Sequence, residues 1–251
     1  MAEILRCDHL KKQYGSFTAL KGINLELPEG KVVGLLGPNG SGKTTLIKLA
    51  SGLLLPTAGE ITINGMRPGV ETKKLVAYLP ERNYLDLSRK IDQHVAFMAD
   101  FYKDFRKERA YEMLERLDID PSRPLKELSK GNREKVQLIL VMSRDAKLYL
   151  LDEPIGGVDP AARDYILETI INNHPEDSTV LISTHLIADV EPVLDEFVFI
   201  REDETYRLYR EGVHKVALIR EIVSVESVDK IDERQYDKGY KRNHVNYRDE
   251  R

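Results

Sequence analysis

Three things are scarce in this sequence, and each scarcity narrows what the chain can be. Among 251 residues there is a single cysteine, so no disulfide can form within the chain, which fits a reducing compartment. Cys7 lies in the alternating stretch ILRCDHL and reads as a small buried strand residue. Excess positive charge is missing too: 42 acidic residues against 38 lysines and arginines give a formal net charge of -4. That balance offers no general attraction to a polyanion, so nucleic acid is not an expected partner. Long apolar runs are the third absence. VQLILVM is far shorter than the roughly 20 residues a bilayer span needs, and MAEILRCDHL lacks the basic and apolar blocks of a signal peptide. A soluble, cytoplasmic chain is the expectation. What the sequence does hold is 41% hydrophobic residues, enough to fill one large domain or a core with an inserted subdomain.

Strand-like runs come first: ILRCDHL, INLELP, VVGLLG, EITING and LVAYLP, separated by turn signals such as PEG and NG. From about Ile91 to Leu117 the period changes. Met98, Phe101, Tyr102 and Phe105, then Ala110, Met113, Leu114 and Leu117, fall at helical spacing and predict the core stripes of two amphipathic helices. A third helix is expected from Asn132 to about Arg144, buried on most sides. Unbroken apolar strands return with KLYLLDE, TVLIST and FVFIRE, as a parallel sheet covered on both faces requires. A helix from Ala161 to Asn173, with Tyr165, Ile166, Thr169 and Ile170 on one face, links the first two of these. Strand, helix and strand in alternation predict an α/β core. The helical segment of about residues 87–145 interrupts it. Beyond Gly212, VALIREIVSVESV reads as strand or short helix and DKGYKRNHVNYRDER has no period, so 213–251 is expected to be a loosely structured extension.

The motif with the clearest chemistry is GPNGSGKTT, comprising Gly37, Pro38, Asn39, Gly40, Ser41, Gly42, Lys43, Thr44 and Thr45. It matches G-x-x-x-x-G-K-[ST] between the strand VVGLL and the helical run LIKLASG. So many small residues cost backbone entropy and bury little, so a ligand is needed to hold them in shape. A triphosphate meets that need. Backbone N–H groups from Gly40 to Thr45 converge on it at a helix N-terminus, Lys43 adds a cation near the β- and γ-phosphates, and the Thr44 hydroxyl can ligate Mg2+. A chance match in a chain of this size has odds on the order of one per cent, before strand and helix context is counted.

YLLDEP ends a buried strand with two adjacent carboxylates, an expensive arrangement unless a cation or water solvates them. Asp152 reads as the outer Mg2+ partner and Glu153 as the group that polarises an attacking water. Alternation alone points the two side chains in different directions. TVLISTH places His185 just after another buried strand. Ligands of such sheets bind at the carboxyl ends of strands, so Gly37, Asp152 and His185 are expected on one rim, with His185 sensing the γ-phosphate.

Taken together, these motifs over roughly residues 2–212 resemble the ATPase subunits of ATP-binding cassette (ABC) transporters. The resemblance implies a P-loop NTPase core of the RecA-like α/β kind, with an antiparallel β subdomain and an inserted α-helical subdomain. It adds four residues. Tyr14, in KQYGSFTAL, stands where the family stacks an aromatic on adenine; its other reading is a half-buried strand-end tyrosine. LSKGN resembles the family's LSGGQ signature, with Ser129 and Gly131 matching; in relatives it reaches across a dimer to the opposite γ-phosphate. The string also reads simply as a helix cap. Asp159, in GGVDP, matches the loop that couples the two active sites. The implied assembly is a pair of subunits around two ATP and Mg2+, with the helical insertion docked on a separate transmembrane permease at the inner face of the membrane.

The chain departs from the family pattern in two places. Glu81, in YLPERNYL, stands where relatives usually have glutamine. An ionised carboxylate only accepts hydrogen bonds and adds negative charge, so Glu81 either binds the metal more strongly or slows hydrolysis. Lys130 and Asn132 replace Gly and Gln of the signature; Lys130 either adds a cation near the partner's nucleotide or faces solvent. A transport ATPase is the leading expectation. A soluble ATPase acting on nucleic acid or ribosomes, and a weakly hydrolysing regulatory module, are the alternatives.

Overall fold

Buried Leu5 and Cys7 alternate with exposed Arg6 and Asp8, which writes one face of a sheet into the N-terminal sequence. The computed structural model describes residues 2–156, 158–201 and 204–209, and the expected extension 213–251 and residue Gly157 lie outside them. Along the chain run β1 Glu3–Tyr14, β2 Phe17–Pro28, β3 Val32–Leu36, α1 Lys43–Ala50, β4 Ala58–Ile63, α2 Val70–Leu75, β5 Val76–Leu79 and α3 Ile91–Phe101. They are followed by α4 Lys107–Arg116, α5 Lys130–Met142, β6 Leu148–Asp152, α6 Pro160–Asn172, β7 Thr179–Thr184, α7 Ile187–Val190, β8 Glu196–Arg201 and β9 Glu204–Tyr209.

β1 pairs antiparallel with β2 and β4, Leu5 facing Leu27 on one side and Ile63 on the other, to make a three-stranded sheet in the order β2-β1-β4. Cys7, 3% exposed, sits in it as expected. The second sheet runs β5-β6-β7-β3-β8-β9, with β5, β6, β7, β3 and β8 parallel and β9 antiparallel at the edge. Every residue of β3, β6 and β7 is buried, which is why those strands are mostly apolar along their length instead of alternating. This is the expected α/β core with an antiparallel sheet. Between β5 and β6 the chain leaves the sheet to form α3, α4 and α5.

Two expectations needed correction. Phe101 is not a core residue: it is 68% exposed, stacked on Phe97 with ring centroids 6.0 Å apart. α3 ends at Phe101, so the helical stripe stops short of Phe105, which is buried from a non-helical turn. The third helix begins at Lys130, two residues before the expected Asn132, because Ser129 caps it by accepting from the Asn132 amide at 3.2 Å. From Val136 to Met142 it is buried at every position.

Candidate functional site

The carboxyl ends of four adjacent parallel strands meet on one rim: β5 leads to Glu81, β6 ends at Asp152, β7 leads to His185 and β3 leads into Gly37. The loop after β3 is shaped by close approach. Gly37 has φ +151°, and a Cβ there would lie 2.4 Å from the Ile200 carbonyl oxygen. At Gly42, with φ +99°, a Cβ would meet Leu20 Cδ2 at 2.5 Å and the Ala19 carbonyl at 2.7 Å. Only glycine fits at either position. Gly42 is the N-cap of α1 and offers no side-chain cap, so the first amides of that helix remain available to an anion. Ser41 Oγ, inside the loop, is buried with no hydrogen-bond partner among the described residues.

Lys43, 6% exposed, donates from Nζ to the carbonyls of Gly37 at 2.8 Å and Pro38 at 3.2 Å. Its ammonium lies 3.9 Å from Glu153 Oε1. Burial lowers its pKa, and the charges of Glu153 and Asp152 oppose that shift. Asp152, 1% exposed, accepts at Oδ1 from Thr44 Oγ1 at 3.0 Å and from Ser183 Oγ at 2.7 Å. Burial raises its pKa; the two hydroxyls lower it, and the charges of Glu81 and Glu153 raise it further.

Glu153 resolves the conflict with strand alternation. Its backbone is left-handed, φ +51°, and its amide donates to Ser183 Oγ at 3.0 Å and to the Ser183 carbonyl at 3.1 Å. This turn brings the second carboxylate to the same rim as the first. There Glu153 Oε2 lies 3.0 Å from His185 Nδ1.

In front of these groups opens a cavity of about 930 Å3. Asn39, Gly40, Gly42, Lys43, Thr44 and Thr45 form one wall, and Glu81, Glu153 and His185 also line it. Asp152 is buried behind Thr44 and does not reach it. Gly37, Pro38 and Ser41 shape the loop without lining the cavity. Tyr14 lies outside it, 44% exposed, with the Lys12 ammonium 5.1 Å from its ring centroid; Phe17, three positions along, does line it. At the start of α5, Lys130 and Arg133 reach the lining, whereas Ser129 and Gly131 do not. Gly131 faces open space, with nothing among the described residues within 4 Å of a Cβ placed there. Asp159 is exposed and away from the lining.

Three contributors escape a reading of the sequence. Ser183 is one of three hydroxyl residues, with Thr179 and Thr184, in the buried strand TVLIST, and Phe17 is one aromatic among alternating residues. Gln137 is a polar residue inside the apolar run VQLILVM, and that interruption was the one available signal.

The oxygens of Thr44, Asp152 and Glu81 are hard donors of the kind Mg2+ takes. Mg2+ usually keeps several waters and takes substrate phosphates beside one or two protein carboxylates, so these few oxygens fit it. The orphaned Ser41 hydroxyl fits a polar group seated in the loop.

A glycine-shaped loop feeding a helix N-terminus, a buried lysine, and a carboxylate bridged to that loop define a P-loop nucleoside triphosphatase. Known proteins narrow the class. The family model described as ABC transporter matches residues 20–156. The chain is 31% identical over 204 residues to the uncharacterized ABC transporter ATP-binding protein YhaQ of Bacillus subtilis (strain 168), covering 79% of this chain and 68% of that one. It is also 31% identical over 206 residues to the SkfA peptide export ATP-binding protein SkfE of the same organism, covering 80% and 86%. A solved structure of an ATP-binding subunit of an ABC transporter superposes with a TM-score of 0.76 at 29% identity, covering 86% of this chain and 94% of that one. The chain therefore belongs to the ABC transporter family, as an ATP-binding and ATP-hydrolysing subunit. Among the described residues no helix is long and apolar enough to cross a membrane.

Proposed function

We propose that residues 37–45 hold the phosphates of ATP, with Lys43 against the β- and γ-phosphates, and that Thr44 and Glu81 are the protein's ligands to Mg2+, with Asp152 the outer Mg2+ partner behind Thr44. Bound there, Mg2+ would neutralise phosphate charge as it develops. Glu153 acts as general base: it accepts a proton from the water whose oxygen bonds the γ-phosphorus. The bond from that phosphorus to the β,γ-bridging oxygen breaks, and ADP and phosphate result. His185 orients Glu153 and senses the γ-phosphate. Tyr14 stacks on the adenine.

The working unit in this reading is a pair of these chains. Ser129 and Gly131 form an anion site for the nucleotide of the second copy, and Asp159 couples the two sites; the open space at Gly131 supports this, since its own fold makes no demand for glycine there. Residues 1–212 form the ATPase domain and 213–251 an appended extension. Segment 87–145 docks on a separate transmembrane permease, which holds the chain at the inner face of the membrane.

The observation that carries the reading is the 3.0 Å hydrogen bond from Thr44 to the buried Asp152, which ties the phosphate loop to the catalytic strand end. Calorimetry and steady-state turnover test it. Lys43→Ala is expected to lose ATP affinity by at least about tenfold, one charge-assisted contact. Glu153→Gln is expected to keep affinity and lose about 100-fold or more in turnover; with ATP present it should sediment as a dimer. Unchanged ATP affinity in the first variant with unchanged turnover in the second would sink the proposal. Co-purification of a polytopic membrane protein tests the permease.

A further inference from the structure

The loop that carries Glu81 is held by a side chain that the mechanism does not use. Glu81 itself is exposed and makes no hydrogen bond or ion pair among the described residues, so its position follows from its backbone. That backbone is clasped at both ends by one residue. Gln137, 4% exposed on α5, donates from Nε2 to the Pro80 carbonyl at 3.2 Å and accepts at Oε1 from the Tyr84 amide at 3.2 Å. One neighbour offers only an acceptor and the other only a donor, which fixes the orientation of the amide. A second tie from the same helix runs alongside: Asn83 Nδ2 donates to the Arg133 carbonyl at 3.4 Å.

The position of Gln137 on α5 gives the clasp its meaning. Ser129 is the N-cap of the helix and the clasp lies just over two turns further along the same rigid rod. A buried polar side chain in an apolar helix face needs its partners, since losing them leaves a desolvated amide. Each partner here belongs to the arch from Pro80 to Tyr84.

We propose that Gln137 is a positioning residue for Glu81: it sets the location of the metal-side carboxylate and links it to the helix whose N-terminus is the anion site at Ser129. This rests on the role given to Glu81 under Proposed function. A nucleotide engaged at Ser129 of one copy would thereby fix α5, and through Gln137 the Glu81 loop of that copy's own site.

Gln137→Met is the informative change, since it keeps an unbranched chain of similar length and removes both hydrogen bonds. Removing an outer-shell partner of a metal ligand typically costs 10–100-fold in metal affinity or activity. The expected result is a rise of about tenfold in the free Mg2+ that half-saturates turnover, with the KM for ATP within about twofold of wild type. Mn2+ binding in the presence of a non-hydrolysable ATP analogue, followed by electron paramagnetic resonance, should weaken in parallel. Amide exchange at Tyr84 in the nucleotide-free protein should accelerate. In a Glu81→Ala background the same Gln137→Met change should add less than about twofold, because the two act through one group.

An unchanged Mg2+ half-saturation in a folded Gln137→Met protein overturns the inference, as does an equal shift in both backgrounds. If Gln137→Met fails to fold, Gln137→Glu decides: it keeps the acceptor for the Tyr84 amide and loses the donor to Pro80, and an unmoved Mg2+ response there also refutes the role. Wild-type protein without Mg2+-dependent turnover would instead overturn the reading underneath. Wild-type turnover with an indifferent Gln137→Met overturns this inference alone.

Discussion

Ser183 Oγ donates to Asp152 Oδ1 at 2.7 Å and accepts from the Glu153 amide at 3.0 Å, so one hydroxyl touches both carboxylate-bearing residues. It fixes the rotamer of a buried acid and helps hold the left-handed turn that swings the next acid onto the same rim. In Ser183→Ala the Glu153 amide keeps the Ser183 carbonyl at 3.1 Å, but Asp152 loses one of two hydroxyl donors. A hydrogen bond to a charged group is worth about 1.5–3 kcal/mol, so urea melts should show a loss in that range. Turnover should fall by about 10–100-fold, the usual cost of removing an outer-shell partner. Ser183→Thr retains the hydroxyl and should recover most of both; equal damage from Thr and Ala would assign the effect to packing. The motif YLLDEP made both acids legible in the sequence because acids at a buried strand end demand compensation. Their convergence was not legible, since it depends on a backbone angle that alternation does not encode. Ser183 was hidden for a related reason: a serine in a strand carries no signal until its neighbour is known to be a carboxylate.

α5 shows at the level of an element why two readings of one string need not compete. Ser129 is its N-cap, accepting from the Asn132 amide at 3.2 Å, and it is also the proposed anion site. Ser129→Ala should cost about 1 kcal/mol of stability by loss of the cap. Ser129→Asp separates the roles, because aspartate caps as well as serine and its charge suits a helix N-terminus. The aspartate variant should therefore melt like wild type. Facing a phosphate, however, the same carboxylate repels, and turnover should drop by at least about tenfold, equivalent to about 1.4 kcal/mol of barrier. Full turnover in Ser129→Asp would leave Ser129 as a cap and nothing more. Elements were legible in the sequence in proportion to their length and burial. β6 and β7 are buried on both faces and so carry an unbroken apolar stretch, Leu148–Leu151 in one and Val180–Ile182 in the other. α2, with six residues, and α7, with four, are too short for a 3.6-residue period to register. The stripe through Phe101 misled because helical spacing says nothing about where a helix stops.

At the scale of the molecule, a buried cation helps pin the helices between β5 and β6 to the sheet. Arg144, 2% exposed, donates to the Val76 carbonyl at 2.5 Å and the Lys74 carbonyl at 3.0 Å, at the start of β5 and the end of α2. It also pairs with Asp104 at 3.0 Å, and its guanidinium lies 3.8 Å from the Tyr102 ring centroid, both in the turn after α3. Its own carbonyl accepts from the Tyr149 hydroxyl of β6. Arginine suits this node because its planar fork serves several acceptors at once while its face stacks on an aromatic ring. Arg144→Met should cost about 3–5 kcal/mol, since it strands a carboxylate and two carbonyls together. Asp104→Asn should cost clearly less, because Arg144 keeps both carbonyls and the ring. The double variant should fall well short of the sum of the two, as expected for residues sharing one network. Nucleotide affinity supplies the control. Arg144 precedes the amino end of β6 while Asp152 closes its carboxyl end, and the strand between them spans about 13 Å at about 3.3 Å per step, which sets the node at the opposite end of β6 from Asp152. ATP affinity of folded Arg144→Met, measured by calorimetry below its melting temperature, should therefore stay within about twofold of wild type. Turnover should fall further than affinity, because the loop carrying Glu81 hangs from the helices that Arg144 anchors. Equal losses in both would instead mean that the sheet itself is disturbed, and a stability loss under about 1 kcal/mol would remove Arg144 as the pin.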